Sequence, residues 1–184
     1  MGVKDGFMGA NIATKIAFFV TFLANVVNWI AFCTTSWTVY EPATGNYQWT
    51  GLWRACSGAS GSASCTGGIG QLDGSSDDDV DAVQAFAIFG FIALNVGLLL
   101  IVLYMFWGSC KGNAETGIAS AIILFISAGT WLIAVAVFGA RFDDFANTRF
   151  GYSYALAVCA LILALISGII MIIGGRGNSS VSSK

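Results

Sequence analysis

Trp49-Thr50-Gly51-Leu52-Trp53-Arg54-Ala55-Cys56, followed after eight further residues by Cys65, is the stretch on which the fold turns. It lies in a polar segment downstream of the first of four uncharged runs, 16–40, 82–107, 116–140 and 150–175. Each run exceeds the roughly 20 residues that a helix needs to cross a bilayer core. The 184-residue chain is 57% hydrophobic and only 10% charged, with a mean hydropathy of +0.78. Soluble domains carry about a quarter charged residues, so the solvent for most of this chain is lipid. Lipid offers the backbone no partners, which leaves helices or a closed barrel. A barrel would show alternating segments of about ten residues. The sequence therefore predicts a single four-span membrane domain over 1–184. Its helices lie at approximately 16–37, 82–107, 116–140 and 150–175, with a first loop at 38–81 and a second at 141–149.

The first run competes with a cleaved signal peptide, since Lys4 and Lys15 give it a basic flank. It is longer than a signal-peptide core, however, and no clean small-x-small cleavage site follows, so it reads as an uncleaved anchor. With the N-terminus inside, Lys4, Lys15, Lys111, Arg176 and Lys184 are cytoplasmic, and Arg54, Arg141 and Arg149 lie outside. That bias has the sign of the positive-inside rule. It also turns Cys56 and Cys65 towards an oxidising compartment, where a disulfide persists. Both termini are then cytoplasmic and the two longer polar loops extracellular.

The first loop is long enough to fold. Val39-Tyr40 and Tyr47-Gln48-Trp49-Thr50 have the β-branched and aromatic character of strands, with a turn signal at Gly45-Asn46 between them. Between Cys56 and Cys65 every residue except Ala59 and Ala63 is Ser or Gly, a segment that closes readily into a disulfide-linked hairpin. Cys33, Cys110 and Cys159 read as core residues, although Cys110, beside Lys111 at the inner face, is also a candidate for palmitoylation. Within the spans, Ala160, Ala164 and Gly168, and likewise Ala93 and Gly97, recur at four-residue spacing. Such stripes let helices approach closely, within the bundle or between copies. Asn25 and Asn95 fall near mid-membrane and are expected to face inward and bond across helices.

Catalytic chemistry finds no foothold. The chain has no histidine, two thiols do not make a zinc site, and no phosphate-cradling glycine loop precedes a helix. No catalytic residue, metal, cofactor or nucleic-acid partner is expected. Asn178-Ser179-Ser180 is a formal glycosylation sequon, but on a cytoplasmic tail it is silent. The acidic residues Asp73, Asp77, Asp78, Asp79 and Asp81 open the second span. They cap a helix and complement its dipole. With Glu41 they also oppose Arg54 alone, giving the loop a negative field that attracts cations.

Gly51-Leu52-Trp53, then Cys56 and Cys65, in the first outer loop of a four-span chain, resemble the claudin superfamily. That group includes the peripheral myelin and epithelial membrane proteins and the stargazin-type channel subunits. Trp37 matches the tryptophan that precedes this motif in the superfamily, although an interfacial anchor role is equally open to it. Trp49, Trp37 and Gly51-Leu52-Trp53 thus form the signature, with Trp53 placed where the loop meets the membrane. Val83-Gln84-Ala85 and Phe150-Gly151-Tyr152-Ser153-Tyr154 look like the segments opening helices two and four, and lean towards the myelin and epithelial branch. Two claudin features are missing: a basic residue near the start of helix two and a Tyr-Val C-terminus. The resemblance implies an all-α membrane protein with a small extracellular β-sheet. It would be a left-handed four-helix bundle topped by strands mostly from the first loop and one from the second. It further implies a structural and adhesive protein of cell–cell junctions in the plasma membrane, controlling a paracellular barrier or ion path. Its partners would be membrane lipid and claudin-like proteins, its own copies included, in cis and trans. The competing implication is an auxiliary subunit that alters the trafficking or gating of an ion channel or receptor.

Overall fold

The computed structural model describes residues 3–41, 47–59, 62–68, 78–142 and 148–176. A short helix α1 (Val3–Gly9) precedes α2 (Ile12–Cys33), and four strands follow: β1 (Thr38–Tyr40), β2 (Tyr47–Thr50), β3 (Ala55–Ala59) and β4 (Ser62–Thr66). Helices α3 (Asp78–Phe106) and α4 (Ala114–Phe142), strand β5 (Thr148–Phe150) and helix α5 (Tyr152–Arg176) complete the chain order. Helices α2 to α5 are each long and apolar enough to cross a membrane. Even α2, the shortest, spans ~33 Å at 1.5 Å per residue, enough for the hydrocarbon core. Their outward faces carry exposed Phe19, Phe22, Phe89, Ile92 and Leu99, side chains suited to lipid tails. Cys33 and Cys159 are exposed on the same helices, which corrects their expected place in the core. A free thiol behaves as a small hydrophobe, and hydrocarbon accepts it as readily as packed protein does.

Helix ends follow their caps. The Asn11 side-chain oxygen accepts the Thr14 N–H at 2.7 Å and starts α2 at Ile12. The Asn11 amide in turn donates to the Gly174 carbonyl at 2.9 Å, near the end of α5. Asn113 caps α4 in the same way, accepting the Glu115 N–H at 2.9 Å. Asp78, Asp79 and Asp81 occupy the first turn of α3.

The helices contribute to two compact units. The first comprises the chain up to Val26, Ile92–Gly129 and the chain from Ala160. Its core is built on small residues, Ala17, Ala24, Ala121, Ala128 and Ala164, around Leu94, Leu124 and Met171. A Cβ on Gly97 would sit 2.7 Å from Leu124 Cδ2, and one on Gly168 3.2 Å from the Phe125 ring. The small-residue stripes therefore pack helices within the chain. Asn25 is buried and donates to the Leu94 carbonyl at 3.2 Å, while Asn95 is half-buried. The Thr21 and Ser167 hydroxyls bond each other, and Ser167 Oγ also reaches the Ala17 carbonyl at 3.1 Å.

The second unit comprises Val27–Phe91 and Thr130–Cys159. It holds one five-stranded antiparallel sheet in the order β4-β3-β2-β1-β5. Four strands come from the first loop and one from the second. Strand β1 joins the two contributions, with Thr38 opposite Thr50 on one side and Phe150 on the other.

Candidate functional site

Four carbonyls at the C-terminus of any α-helix lack a partner within it. At the end of α2 three of these are taken by residues beyond the helix. The Ile30 carbonyl accepts the Thr34 N–H at 3.1 Å and the Thr34 hydroxyl at 2.6 Å. Trp37 Nε1 donates to the Ala31 carbonyl at 2.9 Å, and Trp53 Nε1 to the Phe32 carbonyl at 2.8 Å. These caps end α2 at Cys33, four residues short of Trp37, and turn the chain back over its own last turn. The two signature tryptophans thus seize adjacent carbonyls of one helix end.

Each indole then packs differently. Trp37 is fully buried, so its ring faces no lipid. It lies 4.9 Å from Phe138 edge-on, 5.9 Å from Tyr154 and 6.1 Å from Trp131. Its backbone N–H donates to the Thr50 carbonyl at 2.9 Å, and its carbonyl accepts the Gly151 N–H at 2.8 Å. One residue therefore joins α2, the first loop and the second. Trp53, half-buried, meets Phe32 at 5.0 Å, and Phe32 stacks on Phe91 at 4.3 Å.

Gly51 and Gly151 permit the close approach. A Cβ on Gly51 would lie 2.5 Å from Thr35 Cα, and one on Gly151 2.2 Å from the Ser36 carbonyl oxygen. Leu52 is fully buried, and its carbonyl accepts Gln84 Nε2 at 2.7 Å. The same amide reaches the Gly68 carbonyl at 3.3 Å. Thr34 and Ser153 hydroxyls meet at 2.6 Å; since the Thr34 proton goes to Ile30, Ser153 is the donor. Sequence reasoning missed Gln84, Trp131, Phe138 and Tyr154 as parts of this junction. Gln84 did leave a signal, a polar residue between Val83 and Ala85 at the head of a span. Tyr154 fell within the 150–154 segment that resembles the superfamily, whereas Trp131 and Phe138 left no signal beyond helical spacing.

Above the junction the sheet is cross-linked. Cys56 and Cys65 face each other in the β3–β4 register and form a disulfide. On β2, Trp49, half-buried, stands opposite Cys56 of β3 and Val39 of β1. Glu41 and Arg149 form an ion pair beside β1 and β5, both side chains well exposed. Asp78, Asp79 and Asp81 are exposed at the start of α3. Asp73 and Asp77, the Pro42 and Gly45-Asn46 segment and the tail from residue 177 lie outside the described residues. Cys110 is a half-buried free thiol in the turn between α3 and α4. The arrangement holds a braced, polar sheet rigidly on helix ends.

Residues 8–171 match the model of the PMP-22/EMP/MP20/Claudin family. The chain is 27% identical over 175 residues to epithelial membrane protein 1 of Oryctolagus cuniculus, covering 89% of this chain and 91% of the relative. It is 29% identical over 180 residues to epithelial membrane protein 1 of Rattus norvegicus, covering 91% and 94%.

Proposed function

Because the chain belongs to the PMP-22/EMP/MP20/Claudin family as a multi-pass membrane protein, we propose that it is a structural and adhesive protein of cell–cell contacts. In this reading the sheet faces the extracellular space and both termini face the cytoplasm. Copies associate side by side and across the intercellular gap through their sheets, and so restrict paracellular passage. The observation that carries the reading is the junction of Trp37 and Trp53 with the end of α2. It ties the disulfide-braced sheet to the end of α2, which is what transmitting load between apposed membranes requires. A disulfide also fits an oxidising exterior. Both relatives are named for epithelial membranes, which selects the tissue for the test.

Tagged protein in a polarised epithelial layer should concentrate at lateral contacts and raise transepithelial resistance. Expression in non-adherent cells should promote their aggregation. A uniform surface distribution, unchanged resistance and stoichiometric co-purification with one channel or receptor would replace this reading with that of an auxiliary subunit.

A further inference from the structure

Where α3 ends, the first unit contains a cavity of about 410 Å³. Gly9 and Ala10 line it from the α1–α2 joint, Tyr104 and Met105 from the last turn of α3, and Lys111 and Gly112 from the following turn. That turn is tightly bonded. Cys110 N–H donates to the Trp107 carbonyl at 2.9 Å and Gly112 N–H to the Tyr104 carbonyl at 3.2 Å. Gly112 adopts a left-handed φ of 69°, which folds the turn back over the helix end. Lys111 is thereby held over Gly9: its Nζ is 3.3 Å from where a Cβ on Gly9 would be. A side chain there would crowd the ammonium group.

Tyr104 is 3% exposed, and its hydroxyl is buried towards Thr14 rather than open to the cavity. The described residues lining the cavity offer one cation, the Lys111 ammonium, and none is a carboxylate. Such a set selects an anion. The surroundings select its source: Met8, Ile12 and Trp107 are all exposed large apolar residues flanking these segments, at the end of a span, where phospholipid headgroups lie.

We propose that this cavity binds the phosphate of an anionic phospholipid. Lys111 pairs with a phosphate oxygen, and the acyl chains lie along Met8, Ile12 and Trp107. The site does not depend on which side of the membrane it faces. Native mass spectrometry of the full chain in detergent should retain phosphatidylinositol in preference to phosphatidylcholine. Lys111→Gln should lower that retention about fivefold, the usual effect of one surface lysine on anionic lipid, while Lys111→Arg preserves it. Tyr104→Phe, which keeps the ring and removes only a hydroxyl without accessible surface, should leave retention unchanged. Equal retention of the two lipids, or retention unaffected by Lys111→Gln, would overturn the site. Displacement of phosphatidylinositol by equimolar inorganic phosphate would overturn the lipid as its occupant.

Discussion

Trp37 and Trp53 supply from outside α2 the donors that the helix end lacks within itself, but they are not equivalent. Trp37 is fully buried among Trp131, Phe138 and Tyr154, whereas Trp53 keeps part of its ring exposed. Trp37→Ala should therefore cost about 3–5 kcal/mol, the range for a buried large aromatic, and Trp53→Ala distinctly less. Detergent-titrated unfolding of the two variants provides the comparison; a larger loss at Trp53 would mean that the junction is organised around the wrong residue. Glycines at the same junction allow a second comparison. Gly51→Ala and Gly151→Ala bring a methyl against backbone atoms at 2.5 and 2.2 Å, where neither side can yield cheaply, whereas Gly68→Ala meets nothing within 4 Å. Surface biotinylation should show the first two retained inside the cell and Gly68→Ala delivered normally. Equal delivery of all three would remove the steric basis for the approach of the loops to α2.

At the scale of elements, the β3–β4 hairpin has little side-chain volume to hold it. Its residues are mostly Ser, Gly and Ala, so its strands gain little from cross-strand packing. The Cys56–Cys65 bond supplies the missing constraint. Replacing both cysteines with Ser should lower stability by about 2 kcal/mol, the low end of the disulfide range because the closed loop is short. Dithiothreitol should reproduce that loss in the natural protein and change nothing in the double variant; an equal effect on both would place the reducible element elsewhere. The exposed Glu41–Arg149 pair, by contrast, contributes little, as open ion pairs do. Its removal should leave the unfolding midpoint within error.

For the whole molecule, the acidic run decides between a helix cap and an ion path. Asp78, Asp79 and Asp81 sit in the first turn of α3, and Asn caps a helix nearly as well as Asp. Replacing these three with Asn, together with Asp73 and Asp77, should therefore leave expression close to normal while removing the negative field. In a leaky epithelial layer the natural chain should raise Na⁺ over Cl⁻ permeability, and the variant should not. The difference should shrink at high salt, since the screening length is about 10 Å at 0.1 M. Identical dilution potentials for the two proteins would reduce the run to a solvated cap.

The four spans were legible from composition alone, because lipid leaves the backbone no alternative to a helix over runs of such length. So were Cys56–Cys65 and the strands at Val39-Tyr40 and Tyr47–Thr50, since topology and a Ser/Gly spacer leave those cysteines no better partner than each other. What tertiary structure decided is where the elements stop and what holds them together. The end of α2 at Cys33 depends on indole N–H groups from Trp37 and Trp53, and no local signal at Thr34 announces donors arriving from as far as position 53. Gln84 looks like an ordinary polar residue until the Leu52 carbonyl is seen to need it. Cys33 and Cys159 read as core from the sequence yet are exposed on their helices, because a small apolar residue is equally at ease in lipid and in packed protein. Hydrophobicity drives sorting between water and membrane and is written in composition. Inside the membrane that drive is absent, and the arrangement is set by hydrogen-bond geometry and close fit, which exist only once the chain has folded.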